Sequence, residues 1–144
     1  MYYGALEAGG TKMVCAIGDA DKNIIDRISI PTGTPDQSLP AMIDYFKKYD
    51  ISALGIGTFG PADINPNSPT YGSIMRSPKK DWEGFSLYKA FTDALGCLVV
   101  VDTDVNAAAW GEYLYGALKG LNSGMYLTVG TGIGGGIISY GRLI

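Results

Sequence analysis

The fold is decided by a segment near the amino terminus, residues 2–17, which reads YYGALEAGGTKMVCAI. Its two apolar runs, 2–7 and 12–17, are separated by a turn of small residues at 8–11. Apolar and β-branched residues on both sides of a glycine turn indicate two antiparallel strands. A third strand is predicted over 24–30, where isoleucines alternate with polar residues. The chain is therefore expected to begin with a three-stranded antiparallel meander.

Farther along the chain, helical and strand patterns alternate. Helices are predicted after Pro35, over 87–95 and from Asp104 to about Gly116. Strands are predicted between them, over 51–56 and 98–101, and their composition predicts burial on both faces. The resulting order, βββαβαβα, is typical of an α/β domain.

The pattern of the entry hairpin returns near the carboxyl end. After Gly120 the sequence predicts a strand over 125–129, a glycine turn over 130–136 and a strand over 137–140. This repeat of strand, glycine turn and strand predicts that a second structural unit begins here.

Composition narrows the function. The 144 residues are 47% hydrophobic and 17% charged, as in a globular protein, and the net charge of −3 argues against nucleic acid or an anionic membrane as partner. The absence of histidine excludes Ser-His-Asp catalysis and His-ligated metals within this sequence. Cys15 and Cys97 lie in apolar runs, and no signal peptide is recognisable, so a cytoplasmic location is expected.

The first glycine turn is a candidate phosphate site. Gly9, Gly10 and Thr11, followed by Lys12, would expose backbone N–H groups and a hydroxyl without a side-chain screen. Glu7, just before them, is a candidate water-mediated ligand of Mg²⁺. An ordinary hairpin turn and a solvated edge charge remain the alternatives.

The second glycine segment, 128–136, formally matches the dinucleotide motif G-x-G-x-x-G. That motif requires a helix to follow, whereas residues 137–140 favour a strand. A second phosphate hairpin, with Thr131 and Gly132 as contacts, accounts for both glycine turns. No Gly-Lys-Ser/Thr sequence follows the glycines, so a Walker-type loop is not predicted.

Carboxylates follow the apolar strand at 98–101. Asp104 is a candidate general base, since the carboxyl end of a buried strand faces the ligand crevice of α/β sheets. A plain helix N-cap is the alternative, and Asp102 is the fallback base. Asn106 either fixes the turn or touches the ligand. A long irregular loop, 57–83, adds Gly60 and Pro61 as candidate sugar contacts.

These four segments, in their order along the chain, resemble the ROK family of sugar kinases and related repressors. The loop at 7–12 is similar to the family's Asp-x-Gly-Gly-Thr phosphate loop, with Glu7 in place of Asp, a form that resembles the bacterial fructokinase branch. The segment from Asp104 matches the catalytic aspartate segment. Glucose kinases commonly have a sugar-contacting Asn at the position of Thr103, and the presence of Thr here favours a different sugar. The resemblance implies that Thr103 and Asp104 both contact the sugar.

The resemblance implies an actin-like ATPase fold of the ribonuclease-H-like type. Residues 1–118 would form the first lobe, and 119–144 would begin the second, which we expect to be incomplete. The implied reaction is ATP-dependent phosphorylation of a free hexose, with fructose expected. The implied cofactors are ATP and Mg²⁺, with Zn²⁺ bound only by downstream residues, and the complete enzyme is expected to be a homodimer.

Two rivals from other classes remain. One is a non-catalytic sugar- or nucleotide-binding fragment, because a kinase of this kind needs phosphate-binding residues from both lobes. The other is the sugar-sensing part of a ROK-type repressor, which is disfavoured because the first strand is predicted from residue 2 and leaves no room for a preceding DNA-binding domain.

Overall fold

The computed structural model describes residues 1–130 and 132–144 and confirms the predicted order of elements. Three helices and eight strands are present in those ranges, with one short 3₁₀ turn inside the long loop. They are β1 (Tyr2–Ala8), β2 (Lys12–Asp19), β3 (Ile24–Pro31), α1 (Pro35–Phe46), β4 (Ile51–Thr58), the 3₁₀ turn (Lys80–Trp82), α2 (Leu87–Leu95), β5 (Leu98–Thr103), α3 (Asp104–Tyr115), β6 (Ser123–Val129), β7 (Ile133–Ser139) and β8 (Arg142–Leu143).

The main sheet has five strands in the order β3-β2-β1-β4-β5. The pairs β1–β2 and β2–β3 are antiparallel, as the predicted meander requires, whereas β1–β4 and β4–β5 are parallel. The carboxyl ends of β1, β4 and β5 therefore lie at one edge of the sheet, and β5 is one of its two outer strands.

The core lies on one face of this sheet, under α1 and α2. Phe46 of α1 and Phe91 of α2 are fully buried and meet edge to face, with ring centroids 6.1 Å apart. The prediction that both parallel strands are buried on both faces is wrong. In β5, Leu98 is 66% exposed and Val100 52% exposed, because their side chains lie on the face that α1 and α2 do not cover.

The helices begin and end at residues whose local chemistry explains the boundaries. In α2, Ser86 accepts a hydrogen bond from Lys89 N (3.1 Å), and Gly96 ends the helix in the left-handed region (φ 65°). In α3, Thr103 accepts from Asn106 N (3.2 Å). Among the residues described, no helix has the length and apolar character needed to cross a bilayer.

The second sheet is antiparallel, in the order β6-β7-β8, and packs against α3. Strand β7 begins at Ile133, earlier than predicted, so the glycines at 134–136 belong to the strand and not to the turn. A Cβ at Gly136 would overlap the carbonyl of Val105 and lie 2.9 Å from Cβ of Ala109. The absence of a side chain at Gly136 therefore allows β7 to lie directly on α3.

Candidate active site

The candidate site is built on one row of the sheet. Glu7 in β1, Gly57 in β4 and Asp102 in β5 are aligned in register, so their side-chain positions share one face. With strands about 4.8 Å apart, the Cα atoms of Glu7 and Asp102 lie roughly 10 Å from each other across Gly57. A cleft of about 680 Å³ opens over this row, and Asp104 also lines it.

Gly57 allows α3 to begin directly against β4. A Cβ on Gly57 would lie 3.0 Å from Cβ of Ala107 and 3.4 Å from Cα of Asp104. A methyl group there would require the first turn of α3 to move by a few tenths of an ångström. The position of Asp104 over the cleft therefore depends on the absence of a side chain at Gly57.

Asp104 is the first residue of α3, and the cap is Thr103, so the alternative of Asp104 as a plain N-cap is wrong. One carboxylate oxygen of Asp104, Oδ1, accepts from Val105 N (2.9 Å). No described group donates to its other oxygen. A carboxylate in the first turn is favoured by the helix dipole, and here it keeps one oxygen free for a ligand.

Asp102 is more fully engaged. Its Oδ1 accepts from Asn106 Nδ2 (2.7 Å) and from Thr103 N (2.7 Å). Asn106 therefore fixes the turn between β5 and α3, which was one of its two predicted roles. The Thr103 hydroxyl oxygen accepts the Asn106 N–H as the helix cap, and its own hydrogen stays available as a donor.

The first glycine loop, residues 9–12, closes with a hydrogen bond from Gly9 N to Lys12 O (3.0 Å). A Cβ on Gly9 would lie 2.6 Å from that oxygen, so the loop requires glycine at this position. No described residue accepts a hydrogen bond from the N–H of Gly10 or Thr11. The side chains of Thr11 and Lys12 are exposed, so the loop presents donors to solvent, as a phosphate site would.

Lys79 is a candidate phosphate ligand that sequence reasoning missed. Its Cε lies 3.5 Å from the position a Cβ on Gly10 would occupy, and its backbone N–H donates to the buried Ser77 hydroxyl (3.0 Å). In the parts of the chain that the structure describes, its ammonium has no carboxylate partner, whereas that of Lys80 pairs with Glu83 (3.4 Å). No local motif marks Lys79, because the loop at 9–12 is far away in sequence.

The long loop that contains Gly60 and Pro61 is organised by Asp63. The Asp63 carboxylate accepts from the hydroxyls of Ser68 and Thr70 and from Asn65 N. These hydrogen bonds lower the pKa of Asp63 below its usual value, and the bond from Ser68 has the largest effect. Gly60 and Pro61 are both exposed, joined by a cis peptide bond, and neither lines the cleft that contains Asp104.

Gly132 lies at the tip of the β6–β7 turn, where Gly132 O accepts from Gly130 N (2.9 Å). A Cβ on either glycine would meet nothing within 4 Å among the described residues that are not its chain neighbours. Thr131, the other predicted contact of the second hairpin, lies outside the described residues. Helix α3 packs against both this hairpin and the main sheet.

Neither cysteine is suited to nucleophilic chemistry. Burial raises the pKa of the Cys15 thiol to about 12 and also raises the pKa of Cys97, so both remain protonated near neutral pH. Within the described ranges, no group of three or more His, Cys, Asp or Glu side chains could hold a metal ion. The groups that remain for chemistry are carboxylates, backbone amides, hydroxyls and the ammonium groups of Lys12 and Lys79.

Comparisons with known proteins place this geometry in a wider context. The family model described as "ROK family" matches residues 3–144. A fructokinase of Lactococcus lactis subsp. cremoris is 46% identical over 144 residues, which are 100% of this chain and 49% of that protein. The chain spans about half the length of the curated relatives it matches.

Solved structures share the fold. A ROK family glucokinase from Streptomyces griseus, solved with glucose and AMPPNP, matches 100% of this chain and 46% of its own, with a TM-score of 0.80 and 30% identity. A ROK family transcriptional regulator, a homologue of the Escherichia coli MLC protein, matches 99% of this chain and 38% of its own (TM-score 0.82), but at 17% identity it shows the fold alone. The predicted actin-like ATPase fold is confirmed.

Proposed function

The chain belongs to the ROK family, and we propose that it supplies the amino-terminal part of an ATP-dependent hexose kinase that prefers fructose. The register row of Glu7, Gly57 and Asp102 carries the proposal, because it brings three chain segments to one edge of the sheet. The glycine loop follows β1, the long loop follows β4, and Asp104 follows β5. Phosphate donors, sugar contacts and a base are thus offered along one edge.

Asp104 is assigned the proton transfer. In the proposed reaction, the oxygen of the sugar 6-hydroxyl bonds to the γ-phosphorus of ATP. The free carboxylate oxygen of Asp104 accepts the proton that this hydroxyl loses. The bond from phosphorus to the bridging oxygen of ADP breaks, and ADP leaves with that electron pair. Asp102 is less suited to this role, because two donors, Asn106 and Thr103, hold its carboxylate in place, whereas a single donor, Val105 N, holds that of Asp104.

Phosphate binding is assigned to the first glycine loop and to Lys79. The N–H groups of Gly10 and Thr11, which donate to no described residue, would bind phosphate oxygens together with the Thr11 hydroxyl, and Lys12 would add positive charge. The ammonium of Lys79 lies near Gly10, so it would neutralise part of the negative charge of the phosphates. Thr131 and Gly132 of the second hairpin are proposed to contact the phosphates from the other side.

Glu7 fits the proposed contact to Mg²⁺. Its carboxylate is exposed at the cleft edge, and no described group donates a hydrogen bond to it. Magnesium bound with ATP generally uses one or two carboxylates, water and the phosphates, so a single carboxylate is enough. When bound, Mg²⁺ would neutralise charge on the phosphates. Zinc remains a prediction about residues downstream of this sequence.

The preference for fructose rests on Thr103 and on the similarity to a fructokinase. The Thr103 oxygen is engaged as the helix cap, which leaves one hydroxyl hydrogen to donate to a sugar. Asn at this position would bring a carbonyl and an amide, and so a different hydrogen-bonding pattern. Gly60 and Pro61 are proposed to contact the sugar from the long loop.

We further propose that 1–118 and 119–144 belong to different lobes and that the 144 residues alone are inactive. The proposed reaction needs phosphate-binding residues from both lobes, and the second lobe is represented here by three strands. Homodimer formation and a cytoplasmic location stay predictions.

The test uses the complete protein encoded by the gene. ADP release is measured with ATP and fructose, glucose or mannose, and the phosphorylated product is identified. We expect fructose 6-phosphate and the highest kcat/KM with fructose. Absence of hexose-dependent ADP release would contradict the kinase assignment, and an equal or higher kcat/KM with glucose would contradict the preference for fructose.

A further inference from the structure

Thr32 connects the segment after β3 to the first glycine loop. Its hydroxyl donates to Gly9 O (2.8 Å), and its backbone N–H donates to Thr11 O (3.0 Å). The side chain of Thr32 is half-buried, and Gly9 lies 23 positions away in the sequence. One residue thus engages two of the loop's carbonyl oxygens from the same side.

These hydrogen bonds fix the direction of the loop's donors. In a trans peptide the C=O and the following N–H point in opposite directions, so holding Gly9 O against Thr32 turns the Gly10 N–H away from Thr32. No described group accepts from that N–H, and the Gly9 N–H is already bound to Lys12 O. The Gly10 N–H is therefore held in one direction and left free.

We propose that Thr32 is a positioning residue for nucleotide binding: it orients the first glycine loop so that the Gly10 N–H meets a phosphate of ATP. Thr32 itself does not touch the nucleotide. The proposal rests on the proposed function and deepens it, because it assigns a residue outside the loop to the loop's affinity for phosphate. A loop that must be ordered on binding loses affinity, and a loop already held in place does not.

A merely structural Thr32 would give a different result. It closes the connection between β3 and α1, so a general loosening there would impair the binding of both substrates and lower stability. A positioning role acts on the nucleotide alone. The informative readout is therefore the separation of the KM for ATP from the KM for the sugar.

The test compares Thr32→Val and Thr32→Ser in the complete protein. Thr32→Val keeps the size and the backbone N–H but removes the hydroxyl, and we expect the KM for ATP to rise about three- to tenfold, the worth of one hydrogen bond. The KM for fructose and kcat should stay within about twofold of the wild type. Thr32→Ser keeps the hydroxyl and should restore the KM for ATP.

Three results would overturn the proposal: an unchanged KM for ATP in Thr32→Val, an equal rise in both KM values, or a Thr32→Ser variant as impaired as Thr32→Val. If Thr32→Val does not fold, the wild-type protein still provides the test. On titration with ADP, the amide resonance of Gly10 should shift, and an unmoved Gly10 resonance would overturn the proposal. A shift at Gly10 without phosphoryl transfer to any hexose would instead contradict the proposed function and leave the loop assignment standing.

Discussion

The Tyr71 hydroxyl donates to the carbonyl of Val101 (3.0 Å) and accepts from the N–H of the same residue (2.8 Å). Val101 lies in β5, an outer strand of the main sheet, so Tyr71 occupies the place where a further strand would pair. The long loop is thereby attached to the strand that leads to Asp102 and Asp104.

We predict that Tyr71→Phe loosens the end of β5. Both backbone groups of Val101 lose a partner, and a lost hydrogen bond at a partly buried site costs about 1–3 kcal/mol. Hydrogen exchange at the Val101 amide should become faster.

Tyr88→Phe is the matched control for Tyr71→Phe. The Tyr88 ring packs on Tyr71 with centroids 4.9 Å apart, but its hydroxyl has no hydrogen-bond partner among the residues described. Equal exchange rates at Val101 in the two variants would contradict the role given to the Tyr71 hydroxyl.

A second prediction concerns the close contact between β4 and α3. Gly57→Ala should shift the first turn of α3, because the new Cβ would lie 3.0 Å from Cβ of Ala107. Since small misplacements of a catalytic group are costly, we expect kcat to fall about tenfold or more.

Gly55→Ala controls for the added methyl group. Gly55 lies in the same strand and on the same face as Gly57, and a Cβ there would meet nothing within 4 Å. Its kcat should match the wild type. If both variants lost activity equally, strand flexibility and not the position of α3 would be the cause.

Lys79 and Lys80 are adjacent and offer a third test. Lys79→Gln should raise the KM for ATP by about fivefold or more, because a charge-assisted contact to phosphate is lost. Lys80→Gln should leave it unchanged, since Lys80 faces Glu83 (3.4 Å) at an exposed site. Similar KM values for ATP in the two variants would remove Lys79 from the phosphate site.

A fourth prediction follows from the lowered pKa of Asp63, which the hydroxyls of Ser68 and Thr70 stabilise as the carboxylate. A depressed pKa in the folded state means that the stabilisation is fully present above the unfolded value of about 4 and is lost as the pH falls through the folded value. Proteolysis within 63–73 should therefore increase below about pH 4. Asp63→Asn should abolish this pH dependence, and a variant that kept it would point to another carboxylate.

Local chemistry explains what the sequence predicted well. The ends of α2 and α3 follow from Ser86, Gly96 and Thr103, each of which acts within four residues of its position. The prediction that β5 is buried on both faces is wrong because an apolar side chain does not show whether anything packs on it. Leu98 and Val100 are apolar, yet both are exposed. The sequence predicts a turn over 134–136, since it does not show that Gly134 and Gly136 lie against Val105.

Long-range pairing explains what the sequence missed. The contacts of Tyr71 with Val101 and of Thr32 with Gly9 join residues 30 and 23 positions apart, and nothing near either residue marks its partner. Asp104 could be found because its signal is local, at the junction of a strand and a helix. The residues that position the site became visible only in the folded chain.

The most direct test of the central claim is the turnover of Asp104→Asn in the complete protein with ATP and fructose. Asn can still accept from Val105 N but cannot take a proton, so kcat should fall by about 10²- to 10⁴-fold while Asp102→Asn stays within about tenfold of the wild type. A fall of less than about tenfold in Asp104→Asn, short of the usual general-base contribution, would contradict the assignment of Asp104 as the base.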